Sequence, residues 1–199
     1  MYILKRETLS TKNMVKISVL AVISMVLMLF DLSVWFAPQF LRLDISDLPA
    51  LIGAFAMGPM AGVLVQLVKN LLNLLIDGSL TGGVGEFSNF LVGSVLVYIA
   101  GCIYYKKKTF KNAIIGLIFG VLAMTGFASL SNYFVVFPLY AKIMPLDKII
   151  EGASLVNRFV VDYKTLILYA VVPFNLLKGT AVSIVTILLY KRVSPILKR

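Results

Sequence analysis

The sequence predicts an all-α integral membrane protein with six transmembrane helices and a ligand pocket that faces outward. Of its 199 residues, 60% are hydrophobic and 14% are charged, and the mean hydropathy is +0.95. A soluble domain is usually about 45–50% apolar and about 25% charged. Six apolar segments follow one another along the chain. Because lipid forces backbone groups to pair within each helix, residues 1–199 are expected to form a single membrane domain.

Charge distribution predicts the orientation of the chain in the membrane. Twelve of the nineteen Lys and Arg residues lie in three patches, at Lys5, Arg6, Lys12 and Lys16, at Lys106, Lys107, Lys108 and Lys111, and at Lys191, Arg192, Lys198 and Arg199. Eight of the nine acidic residues, all but Glu7, lie in or beside the alternate connections. This is the positive-inside pattern, which places both termini and the 106–111 loop of a multi-pass membrane protein in the cytoplasm. The net charge of +10 therefore reports topology rather than nucleic-acid binding.

The residue inventory argues against an enzyme. The chain has no His and one Cys, which excludes imidazole acid–base chemistry, His-ligated metals and intrachain disulfides. No zincin, Ser–His or paired-aspartate motif is present, and the glycines of residues 77–85 do not form a phosphate-binding loop. We expect no catalytic residue, metal or cofactor. A membrane enzyme that acts without partners remains the less favoured alternative.

The first helix is predicted at residues 15–30 and is expected to be retained rather than cleaved as a signal peptide. Ser18, Ala21 and Ser24 recur every third residue and form a narrow strip of small side chains. Such a strip lets another helix approach closely, either within the chain or from a partner protein. Residues 31–47 then form the first outer loop, whose mixture of apolar and charged residues suggests that it folds back onto the helix ends. Trp35 in this loop fits a lid or an interfacial anchor equally well.

The second helix is predicted at residues 48–57 and is too short to span a membrane alone. Gly58-Pro59 interrupts it, and Pro59 is suited to open the third helix, at residues 59–76. The third helix has a polar face that lipid would not tolerate, comprising Gln66, Lys69, Asn70, Asn73 and Asp77. We expect that face to point inward. Lys69 could serve a ligand, but a structural ion pair with Glu86 or Asp77 is the favoured reading.

The last three helices are predicted at residues 86–104, 112–138 and 165–190. Gly116 and Gly120 form a GxxxG motif for which packing within the chain is the better interpretation. Residues 141–164 form a long outer connection, and residues 146–159 could form an interfacial amphipathic helix. Pro173 either kinks the last helix or starts its regular portion.

Polar residues from four helices are expected to meet near the outer surface. These residues are Asn73, Glu86, Asn89, Asn132, Asn175 and Lys178. Asn175 and Lys178 are three residues apart, so a helix places them on one face. A charge at membrane depth costs at least about 2.5–3.5 kcal/mol, so Lys178 needs a partner, a cavity or a function. One small-molecule pocket with apolar walls explains these positions best. Asn amides suit a ligand edge that alternates donors and acceptors.

Stretches spread over most of the chain resemble the riboflavin-specific substrate-binding (S) components of energy-coupling factor (ECF) transporters. They are LPALIGAFAMGPMAG (48–62), KNLL (69–72), GEFSNF (85–90), NY with PLY (132–140) and PFNLLKG (173–179). The resemblance implies six membrane helices in a bacterial cell membrane and a riboflavin pocket on the outer side. It implies Asn132, Asn175 and Lys178 as ligand contacts, with Glu86 and Asn89 beside them. It also implies that the first outer loop closes over the vitamin, with Leu43 and Asp44 contributing to the site.

The resemblance further implies partner proteins. S components dock onto a transmembrane coupling protein and two ATP-binding cassette ATPases, and the absence of a Walker motif here is consistent with that arrangement. Docking typically uses Ala-x-x-x-Ala on the first helix, whereas here Ala21 is followed four residues later by Met25. Riboflavin, bound as a transported ligand, is the expected substrate. Flavin mononucleotide or another vitamin is the alternative.

Overall fold

The protein is mostly helical. The computed structural model describes residues 10–38, 40–79, 81–142 and 145–197; Lys5, Arg6, Glu7, Lys198 and Arg199 of the charge pattern lie outside them. The α-helices are α1 (Thr11–Met28), α2 (Asp47–Met57), α3 (Pro59–Ile76), α4 (Val84–Lys106), α5 (Phe110–Ser131), α6 (Phe137–Tyr140), α7 (Leu146–Val156), α8 (Tyr163–Leu166) and α9 (Val172–Leu197). Two π-helical turns join neighbouring helices into continuous rods: π1 (Asn132–Val136) joins α5 to α6, and π2 (Ile167–Val171) joins α8 to α9.

Five helical segments, two of which include a π-helical turn, are long and apolar enough to cross a membrane. They are Thr11–Met28, Pro59–Ile76, Val84–Lys106, Phe110–Tyr140 and Tyr163–Leu189. The sixth predicted segment forms the shorter apolar helix α2, Asp47–Met57. Alpha2 is a buried element, since most of its side chains belong to the core that it shares with α3, α4 and α9.

Small residues bring the helices into close contact. Gly58 has a φ of +105°, a conformation that favours glycine, and Pro59 occupies the first turn of α3. A Cβ at Gly62 would lie 2.7 Å from the Ala54 Cβ, so α2 packs directly on α3. A Cβ at Gly116 would lie 2.8 Å from the Ala100 carbonyl oxygen, and one at Gly120 would lie 3.0 Å from the Leu96 carbonyl oxygen. The GxxxG motif therefore packs α5 against α4, which confirms the intrachain interpretation.

The strip of small residues on α1 is divided between two surfaces. Ala21 and Ser24 are buried, and the Ser24 hydroxyl donates a 2.6 Å hydrogen bond to the Ser46 carbonyl oxygen. Ser18 is exposed and donates instead to the Met14 carbonyl oxygen of its own helix. The Ala21–Ser24 part thus packs within the chain. Alpha1 exposes a different stripe, made of Val15, Val19, Val22, Ile23 and Val26.

The first outer loop contains a small hairpin that the sequence analysis did not predict. Strand β1 (Leu32–Ser33) pairs antiparallel with β2 (Arg42–Leu43), with Leu32 opposite Leu43. An exposed ion pair closes the hairpin, with Arg42 Nη1 3.1 Å from Asp31 Oδ2. The loop reaches two other rods, because Phe40 packs edge-on against Phe137 of α6 and Val34 and Ala37 pack against Phe174 of α9. As expected, it folds back onto the helix ends.

Both π-helical turns come just before a proline. Pro138 and Pro173 have no N–H, and each ring would crowd the carbonyl four residues earlier in a regular helix, so the backbone widens before them. Pro173 therefore starts the regular portion of the last rod. The carbonyls at each turn find other donors: the Tyr163 hydroxyl donates to the Tyr133 carbonyl oxygen, and Asn157 Nδ2 donates to that of Tyr169 at 2.9 Å.

The long connection 141–164 contains a helix within the predicted 146–159 segment. Alpha7 buries Ile149 and Ala153 on one face and exposes Leu155 and Val156. Asp162 then begins the last rod with a capping box, in which its carboxylate accepts from the backbone of Thr165 at 2.7 Å. That hydrogen bond, with a second from the Thr165 hydroxyl, holds the pKa of Asp162 below its usual range.

Candidate functional site

Lys178 is buried and paired with the first outer loop. Its Nζ atom lies 2.8 Å from Asp44 Oδ2 and 3.9 Å from Asp47 Oδ2. Asp44 is buried as well, and its other oxygen accepts hydrogen bonds from the backbone N–H and the hydroxyl of Ser46. Since Lys178 belongs to α9 and Asp44 to the loop, this ion pair fastens the loop to the last helix.

A second buried ion pair lies next to the first one. Lys69 Nζ is 2.8 Å from Asp47 Oδ1 and donates a 3.0 Å hydrogen bond to Ser46 Oγ. Gln66 Nε2 donates to the same Asp47 oxygen at 2.7 Å. The predicted partners of Lys69, Glu86 and Asp77, are therefore wrong. Asp77 follows Lys69 by eight residues and so lies about 12 Å further along α3, whereas Asp47 enters from α2 at the level of the ammonium group.

Together the two pairs form one electrically balanced cluster. Ser46 connects them, because it donates to Asp44 and accepts from Lys69. Two lysines and two aspartates share the cluster, so each buried charge has an opposite charge close by, as a low-dielectric interior requires. The expectation that the polar face of α3 points inward is confirmed for Gln66, Lys69, Asn70 and Asn73, which are all buried, whereas Asp77 is exposed at the helix end.

Asn132 and Asn175 present their amides in the same way. Each is buried, and each Nδ2 donates a 2.8 Å hydrogen bond to the carbonyl four residues earlier in its own helix, Ala128 or Val171. This bond directs the NH2 group toward its own helix and leaves the amide oxygen to accept from a ligand. Asn132 opens π1, and Asn175 follows Pro173 in the first turn of α9, so both amides lie beside a widened turn of backbone.

The backbone places these residues at one end of the helix bundle. Alpha5 and α9 run side by side, with Gly179 packed against Val121. Tyr163 stacks on Tyr133, and its hydroxyl lies 3.3 Å from the Asn132 carbonyl oxygen, so π1 and the start of the last rod are held together. Leu43 packs in the small cluster around Phe174, one residue before Asn175. The structure thus gathers Leu43, Asp44, Asn175 and Lys178 where the loop meets α9.

Glu86 and Asn89 lie in a different environment. Glu86 Oε2 accepts a 2.7 Å hydrogen bond from Ser79 Oγ in the glycine-rich turn before α4. Asn89 Nδ2 points toward Met28 Sδ, 3.8 Å away at the end of α1. Both residues are partly buried. Their described contacts do not include Asn132, Asn175 or Lys178.

Two cavities are lined by residues outside the cluster. One of about 260 Å³ lies between α4 and the α5–π1 region and is lined mainly by apolar residues such as Phe87, Leu91 and Phe127. The other, of about 660 Å³, is bounded by α7 and the start of α8. Neither is lined by Asn132, Asn175 or Lys178. In this conformation Asp44 itself contacts the Lys178 ammonium group.

The predicted site does not include Asp47, Ser46 or Asn157. Asp47 is the last residue of the predicted first outer loop, and its role depends on Lys69 and Lys178, which are distant in the sequence. Asn157 bridges Phe36 and Tyr169, which lie 121 and 12 residues away. One sequence signal could have indicated a role for Asn157: Pro173 has no N–H, so the Tyr169 carbonyl needs another donor.

Comparisons with known proteins point in one direction. The sequence model of the family described as "ECF transporter, substrate-specific component" matches residues 12–190. The chain is 42% identical to "Riboflavin transporter RibU" of Staphylococcus aureus (strain TCH60) over 188 residues, which are 94% of this chain and 93% of that protein. It is 30% identical to "Riboflavin transporter FmnP" of Bacillus subtilis (strain 168) over 188 residues, 94% of each chain.

A solved structure has the same fold. It is described as the S component of a bacterial ECF transporter and superposes with a TM-score of 0.72 at 39% sequence identity. The match covers 94% of this chain and 98% of that one.

Proposed function

Because this chain belongs to the substrate-specific components of ECF transporters, we propose that it is the riboflavin-binding membrane subunit of an ECF-type importer. The observation that carries the proposal is the 42% identity to a riboflavin transporter over 94% of the chain. The protein binds the vitamin and delivers it through an energy-coupling module that it shares with other S components. It is a binding subunit without catalytic residues.

We propose that six helices, α2 included, surround an outward-facing pocket. One of the amide oxygens of Asn132 and Asn175 accepts from the single N–H on the pyrimidine edge of the flavin ring, the other accepts from a ribityl hydroxyl, and Lys178 donates to a ring carbonyl. Leu43 and Asp44 close over the ring as part of the first outer loop, and Glu86 and Asn89 serve the ribityl hydroxyls. The carbonyl-bonded Asn132 and Asn175 amides support this assignment, because a fixed amide oxygen is a selective acceptor.

Charge balance favours riboflavin over flavin mononucleotide. Lys178 already has Asp44 at 2.8 Å and Asp47 at 3.9 Å, and Lys69 shares Asp47. A phosphate entering this cluster would meet two carboxylates as well as two ammonium groups, and it would lose its own hydration. An uncharged ligand avoids that cost. Lys178 thus acts as a hydrogen-bond donor rather than as an anion receptor.

For transport, we propose docking onto a transmembrane coupling protein that is driven by two ATP-binding cassette ATPases. Ala21 and Met25 are buried within this chain, so they do not offer the usual docking pair. The exposed stripe at Val15, Val19, Val22 and Val26 is the alternative on the same helix. The basic residues of the α4–α5 turn support a cytoplasmic location of both termini under the positive-inside rule.

The test is flavin binding by purified variants. Lys178→Ala and Asn175→Ala each remove one contact, and a hydrogen bond that involves a charged group contributes about 1.5–3 kcal/mol, so affinity should fall about 10- to 100-fold for Lys178→Ala and less for Asn175→Ala. Quenching of riboflavin fluorescence measures the affinity. Lys148→Ala, an exposed lysine of α7, is the matched control and should bind like the wild type.

Three outcomes would contradict the proposal. Wild-type protein that is colourless when made in vitamin-containing medium and does not quench added riboflavin is not a riboflavin binder. Unchanged affinity in both Lys178→Ala and Asn175→Ala would refute the site. Tighter binding of flavin mononucleotide than of riboflavin would refute the argument from charge balance.

A further inference from the structure

Asn157 joins three parts of the molecule through one side chain. Its Nδ2 atom lies 3.2 Å from the Phe36 carbonyl oxygen in the first outer loop and 2.9 Å from the Tyr169 carbonyl oxygen in π2. Its Oδ1 atom accepts a 3.1 Å hydrogen bond from the Phe159 N–H, which fixes the amide orientation. Both amide hydrogens are thereby directed at carbonyls of two other elements.

The Tyr169 carbonyl is available because of the proline that follows it. Pro173 stands four residues later and has no N–H, so the regular helical donor for this carbonyl is missing. The Asn157 amide takes the place of that donor. This carbonyl lies in the turn that sets the direction of α9, and α9 begins with the segment that contains Phe174, Asn175 and Lys178.

The Phe36 carbonyl belongs to the part of the loop that lies on α9. Val34 and Ala37 pack with Phe174, and Phe36, Leu41 and Leu43 pack around them. Leu43 precedes Asp44, which pairs with Lys178. Besides the apolar contact with Phe174, the loop is therefore held to the last rod by polar contacts at two separate points, the Asp44–Lys178 pair and the Asn157 bridge.

We propose that Asn157 is a positioning residue for ligand retention: its amide holds the first outer loop closed against π2 and so slows the release of the bound flavin. This inference rests on the proposed function, because it needs a ligand under the loop. It assigns Asn157 no contact with the flavin. Since the bridge acts on the closed state, its loss should appear in the dissociation rate rather than in the association rate.

The experiment uses Asn157→Asp in the full-length protein in detergent micelles. Aspartate keeps the size of the side chain and the acceptor for Phe159 N–H but removes both donated hydrogen bonds. We expect riboflavin to dissociate about tenfold faster, with the association rate within about twofold of the wild type, by stopped-flow fluorescence. Asn112→Asp, the same chemical change near the start of α5, is the matched control and should leave both rates unchanged.

The outcomes separate this inference from the function on which it rests. If wild-type protein binds no riboflavin, the proposed function fails. If wild-type protein binds and Asn157→Asp releases riboflavin at the wild-type rate, or changes only the association rate, the inference alone is overturned. If Asn157→Asp does not fold, Asn157→Ser replaces it, because a shorter side chain cannot reach both carbonyls, and unaltered release from that variant would likewise overturn the inference.

Discussion

Lys69 and Lys178 are two buried lysines, each with an aspartate oxygen 2.8 Å from its ammonium group, but the elements that they join differ. Lys69 and Asp47 lie on α3 and α2, which pack tightly through Gly62. Lys178 lies on α9, whereas Asp44 lies in the first outer loop, which also contacts the helices through Phe40 and the cluster around Phe174. The first pair joins two core helices, and the second joins a helix to a loop.

Under the proposed function, this difference separates a structural ion pair from one that belongs to the ligand site. Lys69 also donates to Ser46, and Asp47 Oδ1 also accepts from Gln66, so Lys69 and this oxygen are held by further hydrogen bonds within the core. Breaking the pair exposes no binding surface and leaves a buried charge. Because an ammonium group has three N–H donors, Lys178 can donate to a ligand that enters when the loop opens and pair with Asp44 again when it closes, with Asp47 3.9 Å away. The same residue types thus stabilise the fold in one place and can bind a ligand in the other.

Removing the charge of Asp47 should have the largest effect on the protein. Asp47→Asn leaves Lys69 without its carboxylate, and loss of one partner from a buried pair costs about 3–5 kcal/mol. We expect poor recovery of folded protein and a large fall in the thermal midpoint, measured without ligand by size-exclusion chromatography after heating. Asp77→Asn, at the exposed end of α3, is the control. If Asp47→Asn is as heat-stable as Asp77→Asn, the structural role of the Lys69 pair is wrong.

Asp44→Asn should affect binding more than stability. The asparagine still accepts the hydrogen bond from the Ser46 backbone, and Asp47 remains near Lys178, so a smaller loss of stability than for Asp47→Asn is expected. The loop loses its ionic attachment to α9, so riboflavin should dissociate about three- to tenfold faster. Stopped-flow fluorescence and the heating assay on the same preparations measure the two effects. A larger stability loss in Asp44→Asn than in Asp47→Asn would reverse the comparison.

Much of the helical framework can be predicted from the sequence, because membrane-spanning helices need long apolar runs and a Gly-Pro pair interrupts a helix. The interruption at Gly58-Pro59 and the inward polar face of α3 could be read directly. The hairpin could not, since Leu32–Ser33 and Arg42–Leu43 are too short to show alternation. Pro138 and Pro173 predicted disturbed helices, but whether the backbone kinks or widens depends on which donors lie nearby, and those donors are Tyr163 and Asn157.

The candidate site is harder to read from sequence because its key contacts are distant along the chain. Lys178 stands out as a charge in an apolar run, but its partner Asp44 lies 134 residues away. Lys69 was assigned to acids close in sequence, whereas tertiary packing brings Asp47 to it. The residue types that need partners can be recognised in a sequence. Their pairing is decided by helix packing and loop closure, which local patterns do not encode.

The Arg42–Asp31 pair should have the smallest effect, although it belongs to the same loop as Asp44. Its side chains are 50% and 28% exposed, so water and salt compete with the 3.1 Å contact, and such pairs contribute about 0–1 kcal/mol. We expect Arg42→Gln to change riboflavin dissociation less than about twofold. Raising the salt concentration to 1 M should have a similarly small effect on the wild type. A tenfold faster release from Arg42→Gln corresponds to about 1.4 kcal/mol, which is more than a single surface ion pair contributes. That result would show that the hairpin closed by Arg42 and Asp31, rather than the buried Asp44–Lys178 pair, holds the loop.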